Sequence, residues 1–369
     1  MKKQSIQAKI FLLIIVFFSQ TNITAQKLGE LRLADWDPKS QMIVKETKVM
    51  KPKFPVIDIH NHLRDLDKTE YYLQQMDEAG VWICIGLDGY SRDDFYKEHL
   101  KASQSVSKDR FHIYFSPDLR RIDEPDFGQR EAQKLEEAVK MGIRGLKIFK
   151  NLGLTLKDNT GRVVPVDDAR LDPIWEKCAE LGIPVMMHVS DPKAFHAGPI
   201  DRYNERYDEL HQHPDWSFYG SEFPSKDEIL EQRNRVFAKH PNTIFIGAHV
   251  GNLPEELGRV AMWLEQYPNF YIDINARISE LGRQPYTARR FMIQYQDRIL
   301  FGTDTPPNAE SYRVYYRFLE TDDEYFDPTP AHKQQGRWMI YGLYLPDEVL
   351  EKIYNKNALK IFSQFKGAN

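Results

Sequence analysis

Short apolar runs alternate with amphipathic stretches along most of the chain. Eight runs of five to eight residues are rich in β-branched and aromatic residues, which is typical of buried parallel strands. The predicted strands are 56–63, 81–87, 111–117, 143–149, 184–190, 243–250, 270–275 and 299–303.

The stretches between these strands have apolar residues at three- and four-residue spacing, which predicts helices. The predicted helices are 69–80, 92–107, 127–141, 172–182, 226–240, 254–267 and 284–297. Gly80, Gly142 and Gly182 close three of them, as helix C-caps do. Eight strands that alternate with seven helices in 369 residues favour an α/β fold of the (β/α)₈ TIM-barrel type, with a doubly wound sheet as the alternative.

Two predicted connections are long, 191–225 after the fifth strand and 304–345 after the eighth. In a barrel both lie on the face where the strands end, and long loops there shape substrate pockets. Residues 191–225 could be a solvent-exposed loop, but aromatic residues such as Trp216 and Tyr219 favour a packed lid.

The N-terminus has the pattern of a secretory signal peptide. Three lysines precede the apolar run 10–18, and Thr24 and Ala25 offer a small-residue cleavage point. The run is about half the roughly 20 residues that a spanning helix needs, so a retained anchor is the less favoured alternative. We expect residues 1–25 to be removed, a secreted or periplasmic location, and a single domain over 26–369 with its core at about 55–365.

The net charge indicates which partners the chain can bind, and the two cysteines indicate the state of its thiols. The formal net charge is −4 and becomes −7 when the three lysines of the signal sequence are removed. A mildly acidic chain argues against nucleic acid or an anionic membrane as a partner, and no stable membrane span is expected. Cys84 and Cys178 fall in predicted regular structure, so we expect buried thiols. A small-molecule substrate is the expected partner, and a homo-oligomer is left open.

The first predicted strand ends with the pair His60 and His62. Side chains two apart on a strand share one face, so the two imidazoles can bind one divalent ion together. Two ordinary surface histidines are the alternative, but packing explains poorly why a histidine pair should end an apolar strand.

Four further polar residues fall at the ends of predicted strands: Lys147, His188, His249 and Asp304. Burying such groups at the end of apolar runs is costly unless they are paired or bind a metal. Each alone is explained by a structural hydrogen bond, whereas the set together with His60 and His62 favours a metal site.

These pieces resemble the amidohydrolase superfamily, and within it the amidohydrolase-2 branch. The resemblance rests on 58–62 (Asp-Ile-His-Asn-His), the fifth- and sixth-strand histidines, 301–304 (Phe-Gly-Thr-Asp) and a closing segment at 357–362. It covers roughly residues 55–365. It implies a metal-dependent hydrolase, lactonase, decarboxylase or hydratase.

The resemblance also implies roles for individual residues. His60, His62, His188 and Asp304 are similar to the ligands of one divalent ion, with zinc favoured although manganese and iron share such ligands. Asp304 is then also the proton-transfer residue, and His249 a second catalytic residue beside the ion. Lys147 either is carboxylated and bridges two ions, as in some relatives, or binds a substrate carboxylate.

Lys150 and Arg277 follow the fourth and seventh predicted strands and complete the set of candidate substrate-binding residues with Lys147. Cations near the mouth of a pocket suit an anionic substrate, although surface or loop-pinning charges explain them equally well.

The sequence therefore predicts an exported metal-dependent hydrolase that cleaves a C–O or C–N bond in a lactone, ester or amide. A metal-dependent, non-oxidative decarboxylase on the same fold is the alternative. A non-catalytic metal- or ligand-binding barrel is the alternative from another class.

Overall fold

The computed structural model describes residues 31–32, 35–36, 38–328 and 335–362. The described residues from Met42 onwards form one compact unit. The predicted signal peptide, residues 1–25, lies outside the described residues. Within the described ranges, no helix combines the length and the apolar character that crossing a membrane requires.

All eight predicted strands are present, with shorter bounds for most of them. Among the described residues they are β1 Val56–Asn61, β2 Val81–Tyr90, β3 Phe111–Ser116, β4 Gly145–Ile148, β5 Val185–Met187, β6 Phe245–Gly247, β7 Phe270–Asp273 and β8 Ile299–Leu300. They pair in parallel in sequence order. The Ile59 N–H donates to the Phe301 carbonyl at 3.1 Å, and this bond joins β1 to the last strand. The sheet is thus a (β/α)₈ barrel, as predicted.

Each predicted helix is also present, and further helices lie in the connections. The helices are α1 Thr69–Ala79, α2 Phe95–Val106, α3 Phe127–Met141, α4 Asp172–Leu181, α5 Tyr207–Gln212, α6 Lys226–Lys239, α7 Ala248–Gly251, α8 Leu257–Gln266, α9 Ile278–Gly282, α10 Pro285–Gln294, α11 Ala309–Glu320, α12 Asp347–Glu351 and α13 Asn357–Ile361, with a π-helical turn at Lys352–Lys356.

The barrel interior is filled by aliphatic and aromatic side chains from alternate strand positions. Ile57, Ile59, Ile85 and Met186 belong to this inner cluster, which also includes Phe362 at the end of α13. Because alternate strand residues face opposite ways, a larger second core lies between the strands and the outer helices.

The C-terminal helix α13 closes the barrel at the end where the strands begin. Asn357 donates to the carbonyls of Gln296 and Ile299, each at 2.7 Å, and Asn355 donates to the Pro55 carbonyl, also at 2.7 Å. The opposite end of the barrel, where the strands finish, stays open for a functional site.

The two long connections are structured in different ways. In 191–225 the short helix α5 and the buried Phe195, Leu210 and Phe218 form a structured lid. Trp216 and Tyr219, the aromatic residues that favoured a packed lid, are 36% and 53% exposed. In 304–345, which the sequence analysis treated as one long connection, α11 occupies twelve residues. The expectation of buried thiols is confirmed, since both cysteines are free and buried.

Candidate metal centre

A cavity of about 440 Å³ lies at the open end of the barrel. Its walls include every candidate site residue that the sequence analysis singled out, namely His60, His62, Lys147, Lys150, His188, His249, Arg277 and Asp304. These residues come from six different strands or the turns directly after them, so the barrel has brought together side chains that are up to 244 residues apart.

His60, His62 and Asp304 form the tightest group in this cavity. Their ligand atoms lie within 4.8 Å of one another. The Asp304 Oδ1 atom is 3.1 Å from His60 Nε2 and 3.1 Å from His62 Nε2. Two imidazole nitrogens and one carboxylate oxygen that converge in this way are a donor set suited to a divalent transition-metal ion.

Two buried carboxylates orient the histidine rings. His60 Nδ1 lies 2.7 Å from Asp273 Oδ2, and His62 Nδ1 lies 3.0 Å from Asp88 Oδ2. Because a carboxylate accepts a hydrogen bond, each Nδ1 carries the proton, and each Nε2 turns towards Asp304. Burial opposes the charged form of His62, but Asp304 and Asp88 outweigh it and raise the pKa of His62 to about 9.

Asp58 braces the strand beneath the histidine pair. This fully buried carboxylate accepts hydrogen bonds from Thr303 Oγ1 at 2.7 Å, Tyr312 Oη at 2.8 Å and Asn61 Nδ2 at 3.0 Å. Tyr312 lies on α11, so the helix that the sequence analysis missed helps to position the site. Gly302 allows close packing here, because a Cβ on it would lie 2.7 Å from the Cβ of His60.

Asp304 and His249 both adopt left-handed backbone conformations, with φ of 65° and 57°. Such angles are uncommon for residues other than glycine and are concentrated at functional sites. The Asp304 N–H donates to the His60 carbonyl at 2.8 Å, and the His249 N–H donates to Asp273 Oδ1 at 2.8 Å. Both strained residues are thereby fixed to the strands that carry the metal cluster.

His249 presents an unprotonated nitrogen to the cavity. Its Nδ1 lies 3.2 Å from the carbonyl oxygen of Asn275, and a carbonyl can only accept, so Nδ1 carries the proton. Burial, assisted by Arg277 and His188, holds the pKa of His249 well below its usual value. Its Nε2 lies 3.9 Å from Asp304 Oδ2.

His188 faces the same cavity but lies outside the tight group of three. Its ring centroid is 4.3 Å from that of His249, and its Nε2 is 3.3 Å from Asp191 Oδ1. Burial lowers the pKa of His188 to about 4, despite Asp191, so the ring is neutral at physiological pH. A neutral imidazole is the form that binds metals, and His188 therefore remains a predicted ligand.

Lys147 and Arg277 supply positive charge to the cavity. Lys147 is 1% exposed, and its Nζ has no hydrogen-bond partner among the described residues. Burial lowers the pKa of Lys147 to about 8, although Asp304, Asp273 and Asp88 oppose the shift. Arg277 is 5% exposed and donates from Nη1 to the Ala276 carbonyl. Neither side chain belongs to an ion pair in the part of the chain that the structure describes.

Lys150, the third predicted substrate contact, already has a partner. It forms a short ion pair with Asp191 and lies 5.5 Å from the ring centroids of both Trp216 and Phe218. This cation therefore joins the lid to the barrel, which is the loop-pinning alternative of the sequence analysis, while it also lines the cavity.

The cluster fits a bound divalent ion on the evidence of its own chemistry. His249 Nε2 is buried without a hydrogen-bond partner in the described ranges, and the buried His60 Nε2 has its 3.1 Å contact with Asp304 Oδ1. A buried polar atom with no partner costs free energy unless a ligand satisfies it. Asp88 and Asp273 provide the carboxylate–histidine contacts that usually accompany metal-binding histidines.

A (β/α)₈ barrel with a histidine and carboxylate cluster where its strands end is typical of metal-dependent barrel enzymes. The amidohydrolase family model Amidohydro_2 matches residues 121–364, which is more than half of the chain. The chain belongs to this family. The match begins after β3, so the His60 and His62 pair lies outside it. No curated protein matches the chain by sequence.

Several solved structures share the fold at low sequence identity. A TIM-barrel protein from Bordetella bronchiseptica is 18% identical, with a TM-score of 0.53 over 85% of this chain and 99% of that one. The 2,6-dihydroxybenzoate decarboxylase from Rhizobium is 17% identical, with a TM-score of 0.52 over 86% and 99%. A dihydroxybenzoic acid decarboxylase from Polaromonas sp. JS666, with bound manganese and 2-nitroresorcinol, is 16% identical, with a TM-score of 0.53 over 84% and 97%. At these identities the likeness shows the fold alone.

Proposed function

We propose that this protein is an exported metal-dependent hydrolase that cleaves a C–O or C–N bond in a small lactone, ester or amide. The observation that carries the proposal is the orientation of Asp304. Its Oδ1 lies 3.1 Å from both His60 Nε2 and His62 Nε2, whereas its Oδ2 faces His249 Nε2 at 3.9 Å. One carboxylate therefore has an oxygen for the metal and an oxygen for a proton. Residues 1–25 support export.

His60, His62 and Asp304, with His188 as the fourth ligand, would hold the divalent ion, for which zinc is favoured. When bound, such an ion lowers the pKa of a coordinated water and polarises a substrate carbonyl. Asp304 Oδ2 is placed to accept a proton from a water beside it and to return that proton to the leaving oxygen or nitrogen. The Asn275 carbonyl keeps the proton of His249 on Nδ1, so His249 Nε2 is a hydrogen-bond acceptor. Nε2 accepts a hydrogen bond from the same water and so orients it, either directly for reaction or towards the substrate carbonyl.

Non-oxidative decarboxylation is the second candidate, and a different observation favours it. Lys147 and Arg277 offer unpaired positive charge to a substrate carboxylate beside the metal cluster. Two structures with the same fold are described as dihydroxybenzoate decarboxylases, and one of them holds manganese. Both candidates use the same ion, so the cluster alone does not separate them.

A substrate panel separates the candidates. The zinc- and manganese-loaded protein is incubated with aryl esters, lactones, anilides and hydroxylated benzoates, with pH-stat titration for acid release and headspace analysis for carbon dioxide. The proposal predicts chelator-sensitive acid release from an ester, lactone or anilide. Carbon dioxide release without hydrolysis would support the decarboxylase. If neither product forms although metal binds tightly, the non-catalytic barrel becomes the better account.

We expect Lys147→Met to make the metal-free protein more stable at neutral pH. A buried lysine whose pKa falls from 10.5 to about 8 costs about 3 kcal/mol of folding free energy below pH 8. Between these two pKa values Lys147 is more often protonated in the unfolded state than in the folded state, so the stability of the wild type rises with pH. The stability difference between Lys147→Met and the wild type therefore shrinks across that pH range. Urea unfolding at several pH values measures this difference. If Lys147→Met is less stable than the wild type, Lys147 stabilises the fold, and its burial does not need a role in ligand binding to explain it.

A further inference from the structure

Glu209 is a carboxylate in the cavity wall that the proposed reaction does not use. Two other acidic residues of the described chain line this cavity. Asp304 belongs to the metal cluster, and Asp191 is paired with Lys150. Glu209 lies on the lid helix α5, and its side chain is 14% exposed.

The lid holds Glu209 by one of its two oxygens. Arg206 donates from Nη1 to Glu209 Oε2 at 2.9 Å, and its Nη2 forms a short ion pair with Glu280 on α9. Arg206 and Glu280 are both 1% exposed, and Leu210 on α5 is fully buried. The carboxylate therefore has a fixed position, because its arginine partner and its helix are both anchored.

The other oxygen, Oε1, has no hydrogen-bond partner in the described ranges. Arg206 already has Glu280 as a partner, so pairing with Arg206 does not by itself explain a second carboxylate at the cavity wall. This oxygen is accessible from the cavity, so a donor group on a ligand there can form a hydrogen bond with it.

The charges around Glu209 select the kind of donor. Burial raises its pKa, and the positive charges of Arg206 and Arg277 act in the opposite direction. The guanidinium groups of Arg206 and Arg277 balance the carboxylates of Glu209 and Glu280, so this end of the cavity has no excess negative charge. A substrate ammonium group gains little there, whereas a neutral hydroxyl or amide N–H forms a hydrogen bond without bringing a third positive charge.

We propose that Glu209 is a specificity-determining residue, whose Oε1 accepts a hydrogen bond from a hydroxyl or amide N–H on the substrate. The inference rests on the proposed function only in taking this cavity as the substrate site. It defines a substrate with a neutral donor group at the lid, in addition to the group that reacts at the metal cluster. Phe149, Phe195 and Trp216 line the cavity and suit a flat apolar body between the two.

The test measures ligand affinity and needs no turnover. Benzoate and its meta- and para-substituted hydroxy, carbamoyl and aminomethyl derivatives are titrated into the zinc-loaded protein by calorimetry. The carboxylate of each probe can pair with Lys147 and Arg277, and its substituent tests for a hydrogen bond to Glu209. Glu209→Ala removes the acceptor, and Glu209→Gln keeps the size of the side chain without its charge. Glu205→Gln is the matched control, because Glu205 is a lid carboxylate paired with Arg283 at 2.8 Å and does not line this cavity.

In the wild type, we expect at least one hydroxy or carbamoyl derivative to bind about 10- to 100-fold more tightly than benzoate, the range for a hydrogen bond to a charged group. The aminomethyl derivatives should not exceed benzoate. Glu209→Ala should remove the preference, Glu209→Gln should reduce it, and Glu205→Gln should retain it. Bound zinc should stay close to wild type in all three variants. The melting temperature should fall in Glu209→Ala, because the buried Arg206 Nη1 loses its acceptor, and should fall less in Glu209→Gln, which keeps an amide oxygen there.

Three results would overturn the inference: equal or unmeasurable affinity for all probes, a preference that survives Glu209→Ala, or the tightest binding by an aminomethyl derivative. Failure of the proposed function would give a different result from failure of this inference. A donor preference that depends on Glu209, without hydrolysis of any ester, lactone or anilide, would leave Glu209 assigned and the hydrolase proposal wrong.

Discussion

Asp304→Asn is expected to lower kcat by about 10²- to 10⁴-fold, the usual cost of removing a general base, with little change in KM. Asparagine has the same size and keeps one oxygen donor, so the contacts of Oδ1 with His60 and His62 can persist. It cannot accept a proton from water as a carboxylate does. In the folded protein His60, His62 and His249 outweigh burial and hold the pKa of Asp304 well below its usual value, so the native group is ionised.

The measurement is kcat, KM and bound metal together, on the best substrate of the panel. His249→Asn is the companion variant, and it should keep its metal fully because His249 lies beside the cluster. If Asp304→Asn retains most of its rate when saturated with metal, Asp304 is only a ligand. His249 would then be the leading candidate for proton transfer.

Asp273→Asn is expected to weaken metal affinity by about 10- to 100-fold, as is typical when the partner of a metal-binding histidine is lost. Asp273 is fully buried and makes two contacts that matter to the site. Its Oδ2 lies 2.7 Å from His60 Nδ1, and its Oδ1 accepts from the His249 N–H at 2.8 Å. An amide presents one acceptor and one donor, so one of these contacts must be lost, and either the His60 ring or the His249 backbone is no longer held.

Asp323→Asn is the matched control for this variant. Asp323 is also a buried carboxylate, but its partners are Thr47 at 2.7 Å and Arg317 at 2.7 Å, and it does not line the cavity. Both variants should lose stability, and only Asp273→Asn should lose metal in a competition titration with a chelator dye. Equal metal affinity in the two variants would show that Asp273 has a structural role alone.

The strand and helix pattern was predictable because each barrel strand is short, apolar and followed by an amphipathic helix. The helix α11 was missed although its signal is present. Tyr312, Tyr315, Tyr316 and Leu319 have helical spacing, and the side chain of Asn308 accepts from the Ser311 N–H at 3.0 Å as an N-cap does. Treating 304–345 as one loop after the last strand concealed this periodicity.

The polar residues at strand ends were predictable because a charged side chain that ends an apolar run stands out. Their partners were not. Asp88 lies one residue beyond the predicted end of its strand, and the contact of Asp273 with His60 joins residues that are 213 positions apart. Glu209 follows no strand, and only the folding of the lid brings it to the cavity. Contacts of this kind depend on tertiary geometry and leave no local pattern.

The central claim is that one divalent ion binds where His60, His62 and Asp304 converge. Anomalous diffraction at the metal edge, on zinc- or manganese-loaded crystals with elemental analysis of the same sample, tests it most directly. The account predicts one ion with donor atoms of His60, His62, Asp304 and His188 at roughly 2.0–2.3 Å. An ion bound elsewhere in the cavity, or no ion after loading, would contradict it.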